Sequence, residues 1–229
     1  MSRQARPILA EGRREIAALD ERIRRHPFLE LWGEGRAARA ALGMFAGQQR
    51  HIIESDLRSV ALMVARAASA PTREFFLGML QGERAALAVL PDLAAAAGHA
   101  PGQVLAAEPL PGAFAYSAYV AWLAQYCTTA EFAGAFLVNL EAWGVNCGRM
   151  SRALRERYEC TAKETAFLDL FATPPPDFEE RGLAVMEEGL GCGVAPAAIR
   201  RAARLLQGYE LLYWDTMLQA AQAPQAPQA

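Results

Sequence analysis

Glu210 is a carboxylate in aromatic surroundings, between Tyr209, Tyr213 and Trp214. The helical face Leu206, Glu210, Tyr213, Trp214 and Met217 is otherwise aliphatic or aromatic. Burial on such a face strips water from the carboxylate, raises its pKa and suits it to proton transfer. A second polar interruption sits in AGAFLVNLEAWG, residues 133–144, where Asn139 and Glu141 break an apolar run. Phe136, Asn139, Leu140, Trp143 and Cys147 share one helical face. An amide on that face can both donate and accept hydrogen bonds to a heterocycle. Glu141 lies about 200° around the helix from Asn139 and reads as exposed or salt-bridged. A third polar group is Gln48-Gln49 with His51. His51 points about 200° away from Gln49 and is expected to pack in the core or at an interface. His26, within HPF, reads as structural.

The elements that must hold these residues are helices. Ala, Leu, Arg and Glu are abundant, and period-two alternation is scarce. A first helix is expected over about 6–25, stopped at His26-Pro27-Phe28 because helix is disfavoured before proline. The next runs over about 36–68. Another starts at Ala70-Pro71-Thr72 and reaches about 97, kinked or divided at Pro91. Residues 100–111 read as a loop. Helices follow at about 112–126 and 129–158, with Thr128 or Thr129 capping the second. One at about 161–172 stops at Pro174-Pro175-Pro176. Asp177 is expected to cap a helix to Leu190, and the last helix runs from Pro196 to about 221. Residues 1–221 thus read as one all-α domain, and 222–229 as a disordered low-complexity tail.

Composition narrows the function. The chain has 229 residues, 53% hydrophobic and 21% charged, enough for a sizeable core. Its formal net charge of −2 argues against nucleic acid, whose binders carry strong basic patches. No apolar run is long enough for a membrane span. The four cysteines form no CxxC pair and only three histidines are present, a poor basis for a metal site. No metal or other cofactor is expected. The start MSRQARPILAEGRREI has no signal-peptide apolar stretch, which points to a cytoplasmic protein with reduced thiols.

Five blocks then fall in order: HPFLELWGEG, FAGQQRHII, AFAYSAYVAWLAQ, AGAFLVNLEAWG and GYELLYWDTM. Their order and spacing resemble the TenA family of thiaminase II proteins over about residues 20–220. The resemblance implies a heme-oxygenase-like helical bundle and a homodimer or homotetramer. The activity it implies is cleavage of degraded thiamin pyrimidines; members are also described as transcriptional activators. Several family positions are changed. The aspartate of a Gln-Asp pair that holds the aminopyrimidine is Gln49 here, and a tyrosine three residues later is Ile52. The nucleophilic cysteine of a Leu-Pro-Cys motif aligns with Asn139 in Leu137-Val138-Asn139. Two further tyrosines match Trp143 and Phe171. Tyr116 and Glu210 match the family, and the resemblance makes Glu210 the acid/base carboxylate.

An asparagine has no ionisable group to activate as a nucleophile. The resemblance therefore implies a small heterocycle of the thiamin-pyrimidine type bound by Gln49, Tyr116 and Asn139, with ordinary thiaminase chemistry weak or lost. Phe45, Tyr116, Trp143, Phe171 and Trp214 are expected to form an aromatic pocket for the ring. Losing the aspartate in a dry site costs a basic ring about 1.5–3 kcal/mol. That is roughly a tenfold to hundredfold weakening, so the ligand is expected to be less basic than aminopyrimidine. The alternative is a catalytically silent ligand-binding regulator of the same type. An oxidase of the same fold is less favoured: Glu83 and Glu141 mimic two iron ligands, but the imidazoles are lacking.

Overall fold

The structure is a computed structural model that describes residues 4–98, 102–103 and 106–223. Ten helices organise the described residues: α1 (Ala5–Glu15), α2 (Ala17–Arg24), α3 (Pro27–Gly33), α4 (Arg39–Arg66), α5 (Ala70–Ala95), α6 (Pro111–Tyr126), α7 (Thr129–Tyr158), α8 (Ala166–Ala172), α9 (Phe178–Gly191) and α10 (Pro196–Gln222). No strand occurs among the described residues. The all-helical reading therefore holds.

Local chemistry sets several helix starts. Thr128 and Glu131 form a reciprocal capping box at the start of α7. Ser69 accepts the Thr72 N–H at the start of α5. His26 caps α3 through Nδ1, which accepts from the Phe28 N–H at 3.2 Å, while Nε2 meets Asp215 on α10 at 3.0 Å. An accepting Nδ1 places the proton of the neutral ring on Nε2, so His26 serves as a brace between α3 and α10.

Several sequence readings change in detail. The helix expected over 6–25 bends at Ile16 (φ −103°, ψ 7°), whose side chain turns into a small core with Ala5, Ile8 and Leu9. The short α3 after His26 was not anticipated. Pro91 neither divides nor ends α5, because buried Leu90, Leu93 and Ala94 hold it in place. Asp177 makes no capping bond and instead faces Arg181 one turn on. Residues 161–165 form turns, so α8 is only seven residues long. Part of the expected 100–111 loop, and residues 224–229 of the expected tail, lie outside the described residues.

Packing places α7 at the centre. It lies against α10, α9, α8 and α3, while α4 runs along α5 and α6, and α6 also meets α10. Small residues let these helices close. A Cβ added at Gly144 would stand 2.7 Å from the Phe171 backbone oxygen, and one at Gly134 would stand 2.4 Å from Ile199 Cγ2. Gly144 thus sets how closely α8, and with it Phe171, approaches α7. Gly144→Ala is expected to cost about 1–3 kcal/mol, since the obstacle is backbone. Urea unfolding checks this, and an unchanged midpoint would mean that α8 is free to retreat.

Candidate functional site

Four long helices turn one face each toward an inner cavity of about 30 Å³. From α4 come Gln49, Ile52, Ile53 and Asp56, a one-face stripe with spacings of three, four and seven. From α7 come Phe136, Asn139, Leu140 and Trp143; α10 gives Glu210 and Tyr213, and α6 gives Tyr116. Glu83 of α5 and Phe171 of α8 complete the wall. Glu83, Leu140 and Phe171 also line an outer cavity of about 280 Å³, so these three form the mouth between the two. The rest of the outer wall includes Phe75, Met79, Pro174, Phe178 and Arg181.

A hydrogen-bonded network forms the cavity floor. Tyr116 donates to Asn139 Oδ1 at 2.7 Å. Asn139 Nδ2 donates to Glu210 Oε2 at 2.7 Å and to Gln207 Oε1 at 2.8 Å. Trp214 Nε1 donates to Glu210 Oε1 at 3.1 Å, and Gln49 donates to the Tyr213 hydroxyl at 2.8 Å. Asn139 and Glu210 are each 2% exposed. Desolvation pushes the Glu210 carboxyl from its ordinary 4.5 up to about 8, against the opposing bond from Trp214. Glu210 therefore carries a proton at neutral pH. Burial, then the charges of Asp56, Glu210 and Glu83, holds the Tyr116 hydroxyl as a phenol.

The anticipated residues divide into two groups. Gln49, Tyr116, Asn139, Trp143, Phe171 and Glu210 meet in the inner cavity. Phe45 and Trp214 do not reach it. Both are fully buried behind its wall, Phe45 stacked on Trp143 at 6.2 Å and on Trp214 at 6.2 Å. Their ring faces are spent on core packing, which leaves Tyr116, Phe136, Trp143, Phe171 and Tyr213 as the aromatic lining. Glu141 lies apart from the cavity and pairs with Arg13 and Arg24. His51 bonds the Ala107 carbonyl, and Cys147 is buried without lining the cavity.

Sequence reasoning missed Asp56 as a site residue and considered Glu83 only as an iron ligand. Asp56 is 3% exposed, and its Oδ1 has no hydrogen-bond partner. Burial raises it well above the usual carboxylate range, and the neighbouring Glu83 charge adds to the effect. Burial also lifts Glu83 to about 7. Extending the α4 stripe one turn beyond Ile52-Ile53 would have found Asp56. Among the described residues, no group of three or more His, Cys, Asp or Glu side chains is arranged to hold a metal ion.

Comparison with known proteins agrees with this architecture. The family model described as "TENA/THI-4/PQQC family" matches residues 14–220. No curated protein matches the chain. A TenA homolog from Pseudomonas syringae pv. tomato superposes with a TM-score of 0.77 at 13% identity, over 92% of each chain. A TenA homologue from Pyrococcus furiosus gives 0.73 at 18% identity, over 92% of this chain and 99% of that one. A domain of unknown function with a heme oxygenase-like fold, from Shewanella denitrificans, gives 0.75 at 14% identity, over 93% of both. At these identities the likeness is one of fold.

Two outcomes follow from the floor. Asn139→Leu strands Tyr116, Gln207 and Glu210 together, and each buried orphan costs about 1–3 kcal/mol. Urea unfolding should show a loss of about 3 kcal/mol or more, whereas a loss below about 1 kcal/mol would mean that the network is not closed. The folded protein holds the Glu210 proton up to about pH 8, while the unfolded chain releases it near 4.5. The unfolded state thus binds fewer protons across that window, and stability falls as pH rises through it. Glu210→Gln removes this contribution. Its unfolding midpoint should fall less between about pH 5 and 8 than that of the parent, and parallel declines would place Glu210 in water.

Proposed function

The chain belongs to the TENA/THI-4/PQQC family, and from the cavity's geometry we propose that it binds a small planar nitrogen heterocycle of the thiamin-pyrimidine type. The carrying observation is the Asn139 amide, which bonds Tyr116, Glu210 and Gln207 at the floor of a cavity walled by aromatic side chains. The inner cavity of about 30 Å³ admits one or two waters as it stands, because one water needs only about 10–15 Å³. The outer cavity of about 280 Å³ has room for a ring. The ring therefore lies at the mouth against Phe171 and Leu140, with a polar substituent directed through it to the floor.

Cysteine-type thiaminase chemistry is weak or absent in this reading. Asn139 cannot form a covalent adduct of that kind, and both its amide atoms are already engaged. Cys147 is buried off the cavity, and burial holds its thiol well above the ordinary range, so it does not substitute. One observation favours residual turnover: the proton on Glu210, which suits proton donation to a leaving nitrogen. Both Glu210 oxygens already accept bonds, however, which favours binding over turnover. We also read the chain as a homodimer or homotetramer. Trp122 and Tyr126, 47% and 71% exposed on α6, support that reading as an uncovered aromatic face.

Calorimetric titration tests the proposal with a thiamin-derived aminopyrimidine beside its deaminated hydroxypyrimidine analogue. Micromolar binding of at least one is expected, with turnover of the aminopyrimidine at least about a hundredfold below the typical enzyme rate of about 10 per second. Turnover at ordinary rates would overturn the assignment of Asn139, and binding of neither would overturn the ring site.

A further inference from the structure

We propose that Asp56 and Glu83 form a receptor for a positively charged nitrogen on the ligand, an amidinium or ammonium group, at the junction of the inner and outer cavities. This rests on the reading of the cavity as a ring site, and it adds which kind of ring substituent the site selects. Asp56 stands two turns along α4 from Gln49 on the same face, and Glu83 faces it from α5. The carboxylate missing at position 49 is thus replaced, within the same cavity, by two others. The expectation of a weakly basic ligand assumed that no such carboxylate remained.

The asymmetry between floor and mouth carries the inference. At the floor each Glu210 oxygen accepts an N–H. Inward of the mouth, Asp56 belongs to the wall of the inner cavity, and its Oδ1 is buried without a protein partner. No protein group among the described residues satisfies that oxygen, and a buried carboxyl left without a protein partner costs stability. Two carboxyls facing each other make it worse through like charge, because Glu83 raises Asp56 further. Such a pair is unfavourable in the empty protein and favourable once a cation lies between the two. Among the described residues no metal-holding group includes them, and Glu83 borders the roomy outer cavity, so an organic cation fits better than a metal ion. A planar amidinium also presents N–H donors on one edge, matched to two acceptors, while Leu140 and Phe171 cover its ring.

The test uses benzamidine and its neutral, near-isosteric partner benzamide, titrated calorimetrically into the full chain and into Glu83→Gln and Asp56→Asn. Benzamidine should bind roughly tenfold to hundredfold tighter than benzamide, the strength of one charge-assisted hydrogen bond. Each substitution should erase that preference, bringing the benzamide-to-benzamidine Kd ratio to within about threefold of one. Ligand-free Asp56→Asn should also gain melting temperature relative to the parent as pH rises above 3.8, because it removes a carboxyl that the fold makes costly to ionise. Equal binding of the two probes, or a preference that survives both substitutions, would overturn the receptor alone. A melting-temperature difference that does not change with pH would overturn it too, since Asp56 would then ionise as freely in the fold as in water. Binding of neither probe would overturn the ring site and the receptor together. Should Asp56→Asn fail to fold, Glu83→Gln at the mouth decides the preference.

Discussion

The Asn139 amide is the interaction on which the rest of the structure depends. It accepts from Tyr116 on α6 and donates to Glu210 and Gln207 on α10, and all four side chains are buried. A buried amide, phenol and carboxyl tolerate little displacement, because each lost bond leaves an orphan. Apolar packing alone would let α6, α7 and α10 slide past one another at modest cost. The network removes that freedom and fixes the floor of the cavity to hydrogen-bond precision. His26 does the same outside the cavity, tying the start of α3 to Asp215 on α10.

With the floor closed, chemistry shifts to the mouth. Glu210 holds a proton but has both oxygens occupied, so it is a poised group more than a free one. Asp56 and Glu83 are the carboxyls with capacity to spare: Glu83 stands where the narrow inner cavity opens to the larger outer one, and Asp56 lies inward of it in the inner wall. Phe171 borders the same opening, and its position depends on Gly144 allowing the backbone of α8 close to α7. On the proposed reading, ligand selection rests on these buried carboxyls.

Much of this was legible in the sequence, and the exceptions have physical causes. The face Phe136, Asn139, Leu140 and Trp143 follows from helical spacing, and so does the burial of Glu210 among aromatic residues. The helical class follows from composition, and several helix starts follow from caps and prolines, as with Thr128 and Pro196. Depth is less legible. Phe45 is as aromatic as Trp143, yet it is packed behind Trp143 and against Trp214, an arrangement between three helices that no local pattern encodes. Pairing between helices is less legible still: nothing local to Glu83 says that α5 sets it against Asp56 on α4. Asp177 carried a cap signal but found Arg181 instead.

The most direct measurement is a crystal structure of the full chain soaked with the thiamin-derived aminopyrimidine. The account predicts ring density against Phe171 and Leu140, a ring or amino nitrogen within hydrogen-bond distance of Asp56 or Glu83, and an intact Tyr116–Asn139–Glu210 floor. A ring seated elsewhere on the molecule, or an Asn139 amide broken away from Glu210 in the occupied cavity, would contradict it.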